Sequence, residues 1–165
     1  MVKHSDLQPP TEWITRELRM LAQYQFGTEF SNILFPEGIL VTYSRATRKV
    51  KEIWFDNERI ASYRPTDGFF SLGLGGAKRI VKFTKKPLLR VVVQSNVAQF
   101  IADGRNVFAK HVVEVDPKIR PADEVIVVSE EDDLLAVGKA ILSAEYMLAF
   151  EKGTAVKVRH GIKKL

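Results

Sequence analysis

The sequence predicts an α+β domain over residues 1–86, followed by a mainly β, closed or nearly closed barrel over residues 89–165. Three observations point there. A chain of 165 residues has room for two small domains. Apolar residues recur at helical spacing near the start, whereas five or six short strands crowd the second half. Lys85-Lys86-Pro87 breaks the pattern between them.

In the first domain, Thr11 stands where it can cap a helix with apolar positions Ile14, Leu18, Leu21, Ala22, Tyr24 and Phe26, ending at Gly27. A short helix over 28–34 is stopped by Pro36. Strands over 39–43 and 50–55 are joined across Ser44-Arg45-Ala46-Thr47-Arg48-Lys49, so the hairpin tip is basic. A strand over 59–63, the turn Arg64-Pro65-Thr66-Asp67-Gly68, a strand over 69–72 and a helix over 75–81 complete the domain.

In the second domain a strand over 89–93 precedes a helix capped by Ser95, which runs through Phe100 and Ile101 and closes at Gly104. The alternation over 108–115 reads as one strand. Strands over 124–128 and 134–142 pair across Ser129-Glu130-Glu131-Asp132-Asp133, which reads as a solvated loop that repels phosphate. Ser143 caps a helix to Phe150, and Ala155, Val156, Val158 and Ile162 form a last strand. So many short strands with two short helices suit a small barrel.

Composition narrows the function. Apolar residues make up 45% and charged residues 27%, as in ordinary soluble domains. No apolar run approaches the roughly 18–20 residues that span a bilayer, and the first ten residues lack a signal-peptide core, so a cytoplasmic protein with no membrane partner is expected. Cysteine is absent, which excludes disulfides, thiolate catalysis and cysteine-held zinc. Up to Leu88 there are 14 Lys/Arg against 9 Asp/Glu, and beyond it 11 against 11. Lys78, Arg79, Lys82, Lys85, Lys86 and Arg90 follow one another without an acid, as do Lys152, Lys157, Arg159, Lys163 and Lys164 after Glu151. Such acid-free stretches suit a polyanion, because cations that neutralise phosphates release condensed counterions.

Catalytic signals are missing. Gly73-Leu74-Gly75-Gly76 before Lys78 invites a phosphate-loop reading but matches no dinucleotide or P-loop spacing, and a tight turn into a helix is the plainer alternative. His4, His111 and His160 lack zinc-pair spacing, and neither a serine elbow nor a paired set of catalytic acids occurs. No catalytic residue, metal or cofactor is expected.

Gly104-Arg105-Asn106-Val107-Phe108-Ala109-Lys110-His111-Val112 is different in kind. A glycine closing a helix, a polar fork and a lysine-bearing strand would set backbone amides, a guanidinium and an ammonium on one rim. With Ile119-Arg120-Pro121-Ala122-Asp123-Glu124-Val125, Leu134-Leu135-Ala136-Val137-Gly138-Lys139-Ala140 and Thr154-Ala155-Val156-Lys157-Val158-Arg159-His160-Gly161-Ile162, this segment resembles a PUA domain across 89–165. Leu18-Arg19-Met20, Tyr24-Gln25-Phe26-Gly27, Ser44-Arg45 and Arg64-Pro65-Thr66-Asp67-Gly68 resemble the α+β domain that precedes PUA in archaeal tRNA-guanine (archaeosine) transglycosylases.

The resemblance implies a pseudobarrel that grips structured RNA, typically the tRNA acceptor stem and 3′ end, through Gly104, Arg105, Asn106, Phe108, Ala109 and Lys110 with Lys157, Arg159, His160 and Gly161. Lys139 is expected off that surface. Arg45, Arg48, Lys49 and Lys51 form a second RNA-binding set at the hairpin. Ala122 stands where the family often has glycine, which asks for a turn without positive φ, and Thr47-Arg48 replaces a common Thr-Gly tip. The transglycosylase barrel, with its aspartate nucleophile and zinc, has no counterpart in the chain. The expected function is therefore a non-catalytic tRNA-binding accessory, with a separate modification enzyme as partner. The alternatives are a ribosome-biogenesis factor binding rRNA, or an enzyme with an interdomain pocket using Arg64 and Asp67.

Overall fold

In the computed structural model, which describes residues 6–164, the Thr11 hydroxyl accepts the Ile14 N–H at 3.3 Å and begins α1 (Glu12–Phe26). Gly27 ends it at φ +121°, a conformation that L side chains rarely adopt. The sequence assigns His4 to the histidine inventory, and that residue lies outside the described ones. Tyr24, expected among the packed positions of α1, is instead 80% exposed with its ring parallel to Phe69.

Then come α2 (Phe30–Leu34) and an antiparallel meander of β1 (Leu40–Tyr43), β2 (Val50–Phe55), β3 (Glu58–Tyr63) and β4 (Phe70–Leu72). Phe30, Phe35, Ile53, Ile60 and Phe70 are buried between the sheet and the helices. The helix α3 (Leu74–Phe83) follows. A Cβ on Gly73 or Gly76 would strike the carbonyl oxygens of Arg59 or Ile60. These glycines let the helix start lie against the β3 backbone, and Lys78 pairs with Glu58, so the tight-turn alternative replaces the phosphate loop.

The chain divides into two compact units between Ile80 and Val81. The second contains β5 (Arg90–Val93), α4 (Ala98–Ala102), β6 (Val107–Phe108), β7 (Val112–Val115), β8 (Glu124–Val128), β9 (Leu134–Ala140), α5 (Ala144–Ala149) and β10 (Thr154–Gly161). Its six-stranded sheet runs β6-β10-β9-β8-β5-β7 and wraps into a nearly closed barrel. Val91, Val93, Val125, Val127, Met147 and Val156 fill the interior.

The single strand expected over 108–115 is broken by a 3-10 turn, Ala109–His111. Its first part pairs with β10 and its second with β5, so one straight strand cannot serve both, and the Ala109 N–H crosses to the Gly153 carbonyl at 2.9 Å. Ala122 also departs from expectation. It sits at φ +75°, held by hydrogen bonds of 2.8 Å linking Ala122 and Asp123 to Ala140.

The acidic loop is exposed at Glu130, Glu131 and Asp133, as expected of a solvated tip, but Asp132 is drawn inward. The Asp132 carboxylate accepts from Nε and Nη2 of fully buried Arg90, at 2.6 and 3.2 Å. The other guanidinium donors go to Thr84 Oγ1 and to the carbonyls of Val81, Thr84 and Leu88. A guanidinium out of water needs each of its five N–H groups matched, which draws residues 81–88 onto the second unit ahead of the joint expected at Lys86. Ser95 is likewise not a helix cap, because its hydroxyl and amide both donate to the Glu130 carboxylate, at 2.6 and 3.0 Å. Those two donors, with Lys86 adding its charge, hold the Glu130 carboxyl below its ordinary value.

Candidate nucleic-acid interface

Gly104, at φ +94°, closes α4 as its N–H donates to Ile101 O and the Arg105 N–H to Phe100 O, at 2.9 and 3.0 Å. The amides expected to face a ligand from Gly104 and Arg105 are therefore taken by the helix end. The loop is then tied to β10: Asn106 Oδ1 accepts the Val158 N–H at 3.0 Å, and the Lys163 N–H donates to Ala102 O at 3.0 Å. Any side chain at Gly161 would collide with the Ala102 carbonyl, so this glycine is what allows the close approach.

The arrangement gathers Gly104, Arg105 and Asn106 against the stretch from Val158 to Lys164, with the Arg105, Lys163 and Lys164 side chains exposed. His160 is half-buried within that stretch. Lys157 is exposed on β10 and stands opposite Lys139, which in turn faces Glu124, so Lys139 belongs to the same sheet face rather than off it.

Arg159, expected as an RNA-facing cation, is committed elsewhere. Its Nη1 and Nη2 donate to the two oxygens of Glu124 at 2.8 and 2.6 Å, and the Glu124 side chain has no exposure. A buried carboxylate requires such a partner, which gives Arg159 a folding role. Phe108, Ala109 and Lys110 lie at the other end of the β6–β10 ladder, near Gly153. Phe108 and Lys110 are exposed and Ala109 is buried, so Lys110 does not converge with Arg105 on one groove. Burial, and then the neighbouring Lys110 ammonium, lower the His111 pKa below 6.5.

In the first unit Arg45, Arg48, Lys49 and Lys51 are all exposed. The tip is fixed by Ser44 N–H to Lys49 O and Arg48 N–H to Ser44 O, both 2.8 Å, with Arg48 at φ +59°, where a glycine would sit without strain. Arg48 and Lys49 border a groove of about 800 Å³ between α1 and the hairpin, lined also by Trp13, Glu17, Tyr43 and Tyr63. Sequence reasoning passes over these aromatic residues. The available signal was Trp13, Met20 and Tyr24 recurring at helical spacing on the side of α1 away from Leu18 and Ala22. Arg64 and Asp67 pair with each other at 2.9 Å across their turn, and the Asp67 carboxylate also accepts the Phe69 N–H.

Among the described residues, no group of three His, Asp or Glu side chains could hold a metal, and no helix is long and apolar enough to cross a membrane.

Two sequence families match the chain in tandem, the patch-forming domain C2 of tRNA-guanine transglycosylase over residues 16–87 and the PUA domain over 89–162. The tRNA-guanine(15) transglycosylase of Pyrococcus abyssi is 43% identical over 155 residues, 94% of this chain and 26% of that protein. The chain spans about a quarter of the length of the curated relatives it matches. Among solved structures, a hypothetical protein from Pyrococcus horikoshii superimposes with a TM-score of 0.75 at 23% identity, covering 94% of this chain and 93% of its own. A conserved PUA domain protein from Thermoplasma acidophilum gives 0.64 at 18% identity, covering 93% and 91%. At these identities the two structures establish the fold.

Proposed function

We propose that this chain, a PUA-domain protein that also carries the patch-forming C2 domain of tRNA-guanine transglycosylase, is a non-catalytic RNA-binding protein that grips tRNA at its acceptor stem and 3′ end. It acts as an accessory in tRNA modification, and a catalytic domain outside these 165 residues supplies the chemistry. PUA is an RNA-binding fold, and the relatives that match both domains are named for a tRNA base exchange.

The observation that carries this reading is the tie between Asn106 and Val158, which sets the Gly104 loop beside the basic end of the chain. Arg105, Lys163 and Lys164 there, with Lys157 on the adjoining strand, offer exposed cations that can reach phosphate from ordered backbone. Arg90 matches the charge of Asp132, while Glu130, Glu131 and Asp133 stay exposed, so the RNA face lies away from this loop.

The test is tRNA affinity measured across salt concentration. Four to six phosphate contacts give a log–log slope of roughly −3 to −5. A slope near zero overturns the reading.

A further inference from the structure

The groove between α1 and the β1–β2 hairpin offers more than a grip on phosphate. Trp13 is 67% exposed, and Tyr43 and Tyr63 line the same space. Arg48 and Lys49 stand at its edge, and Glu17 adds a hydrogen-bond acceptor from α1. A nucleotide has a planar face, a polar edge with amino donors and an anionic phosphate. The groove carries an aromatic face, a carboxylate and two cations, which match those parts one for one.

We infer that this groove holds one unpaired nucleotide of the bound RNA, its base stacked on Trp13 and its phosphate between Arg48 and Lys49. The inference rests on the RNA-binding reading above and extends it from backbone contact to base contact. A base inside an A-form duplex is covered on both faces by its neighbours, so the site selects an unpaired or flipped-out nucleotide. Stacking tolerates any base, so the site contributes affinity with little sequence preference.

Trp13 and Trp54 are the two tryptophans of the chain. In the 165-residue chain carrying Trp54→Phe, the emission reports Trp13. Hexauridylate, hexaadenylate and tRNA are expected to quench it, whereas a blunt RNA duplex binds without quenching. Trp13→Ala should weaken hexamer binding about tenfold while Trp13→Phe keeps most of the affinity. Arg48→Gly should weaken it severalfold while raising the melting temperature.

Unchanged emission on tRNA binding, with equal affinity for Trp13→Ala, overturns the groove and leaves the RNA-binding reading in place. Hexamers that quench while tRNA fails to bind at low salt overturn the tRNA reading and leave the groove. Emission that changes with protein concentration alone, with self-association lost in Trp13→Ala, assigns the groove to a second copy and overturns the inference.

Discussion

Arg159 holds Glu124 through two parallel hydrogen bonds of 2.8 and 2.6 Å, and the carboxylate it holds is wholly buried. Truncating Arg159 would leave that charge unmatched. Arg159→Ala is therefore expected to destabilise the protein by about 3 kcal/mol in denaturant titration, and any loss of RNA affinity in that variant is secondary. The double variant Arg159→Ala with Glu124→Ala should recover part of the loss, because it removes the orphaned charge. An unchanged denaturation midpoint for the single variant would show that the pair contributes nothing.

Lys157 makes the complementary case. It is exposed, and it lies opposite Lys139 in the ladder, so both ammonium groups present to the same side of the sheet. Lys157→Ala should leave the melting temperature within about 1 °C, since surface substitutions typically change stability by less than about 0.5 kcal/mol. It should also weaken tRNA binding severalfold and reduce the salt slope by about one contact. Lys139→Ala is expected to behave likewise. Full affinity in the Lys157/Lys139 double variant would remove this face from the interface.

Ala122 supplies a stability test with no bearing on RNA. A non-glycine residue at φ +75° carries strain of about 1 kcal/mol, partly offset by the greater freedom glycine has in the unfolded chain. Ala122→Gly should stabilise the protein by about 0.5 kcal/mol, read as a higher denaturation midpoint at unchanged m-value. A lower midpoint would mean that the freedom glycine adds to the unfolded chain outweighs the strain at Ala122.

The Glu130 carboxyl is held below its ordinary value by the Ser95 donors, so its contribution to stability is present above the usual carboxylate range and is lost as pH falls through the lowered value. Glu130→Gln should be less stable than the parent at neutral pH. The difference should vanish once the medium is well below the ordinary carboxylate pKa of about 4. A difference that stays constant across that interval would assign the effect to shape rather than charge.

The contrast between Thr11 and Arg159 shows what the sequence discloses. Thr11, Gly27 and Gly104 mark helix ends by local chemistry, and residues 44–49 mark a hairpin because six neighbours suffice to define it. Arg159 and Glu124 meet only through the register of β10, β9 and β8, which no short window encodes, so the sequence offers Arg159 as a surface cation. The same limit hides the pairing of Arg90 with Asp132 and of Ser95 with Glu130, which ties a solvated acidic loop to the framework. The groove beside Trp13 escapes notice for a related reason. An aromatic residue on the outer side of a helix acquires meaning only when the strand residues facing it are known.

The hydrogen bonds around Arg90 bear on how such a domain can be moved between proteins. A transplant begun at Leu89, where the PUA family match starts, would carry the buried guanidinium and Asp132 but leave behind Thr84 and the carbonyls of Val81, Thr84 and Leu88. The portable cassette begins at Val81. Grafts and gene fusions that respect this seam keep every partner of the buried guanidinium, and those that cut at Leu89 leave several of its donors unmatched.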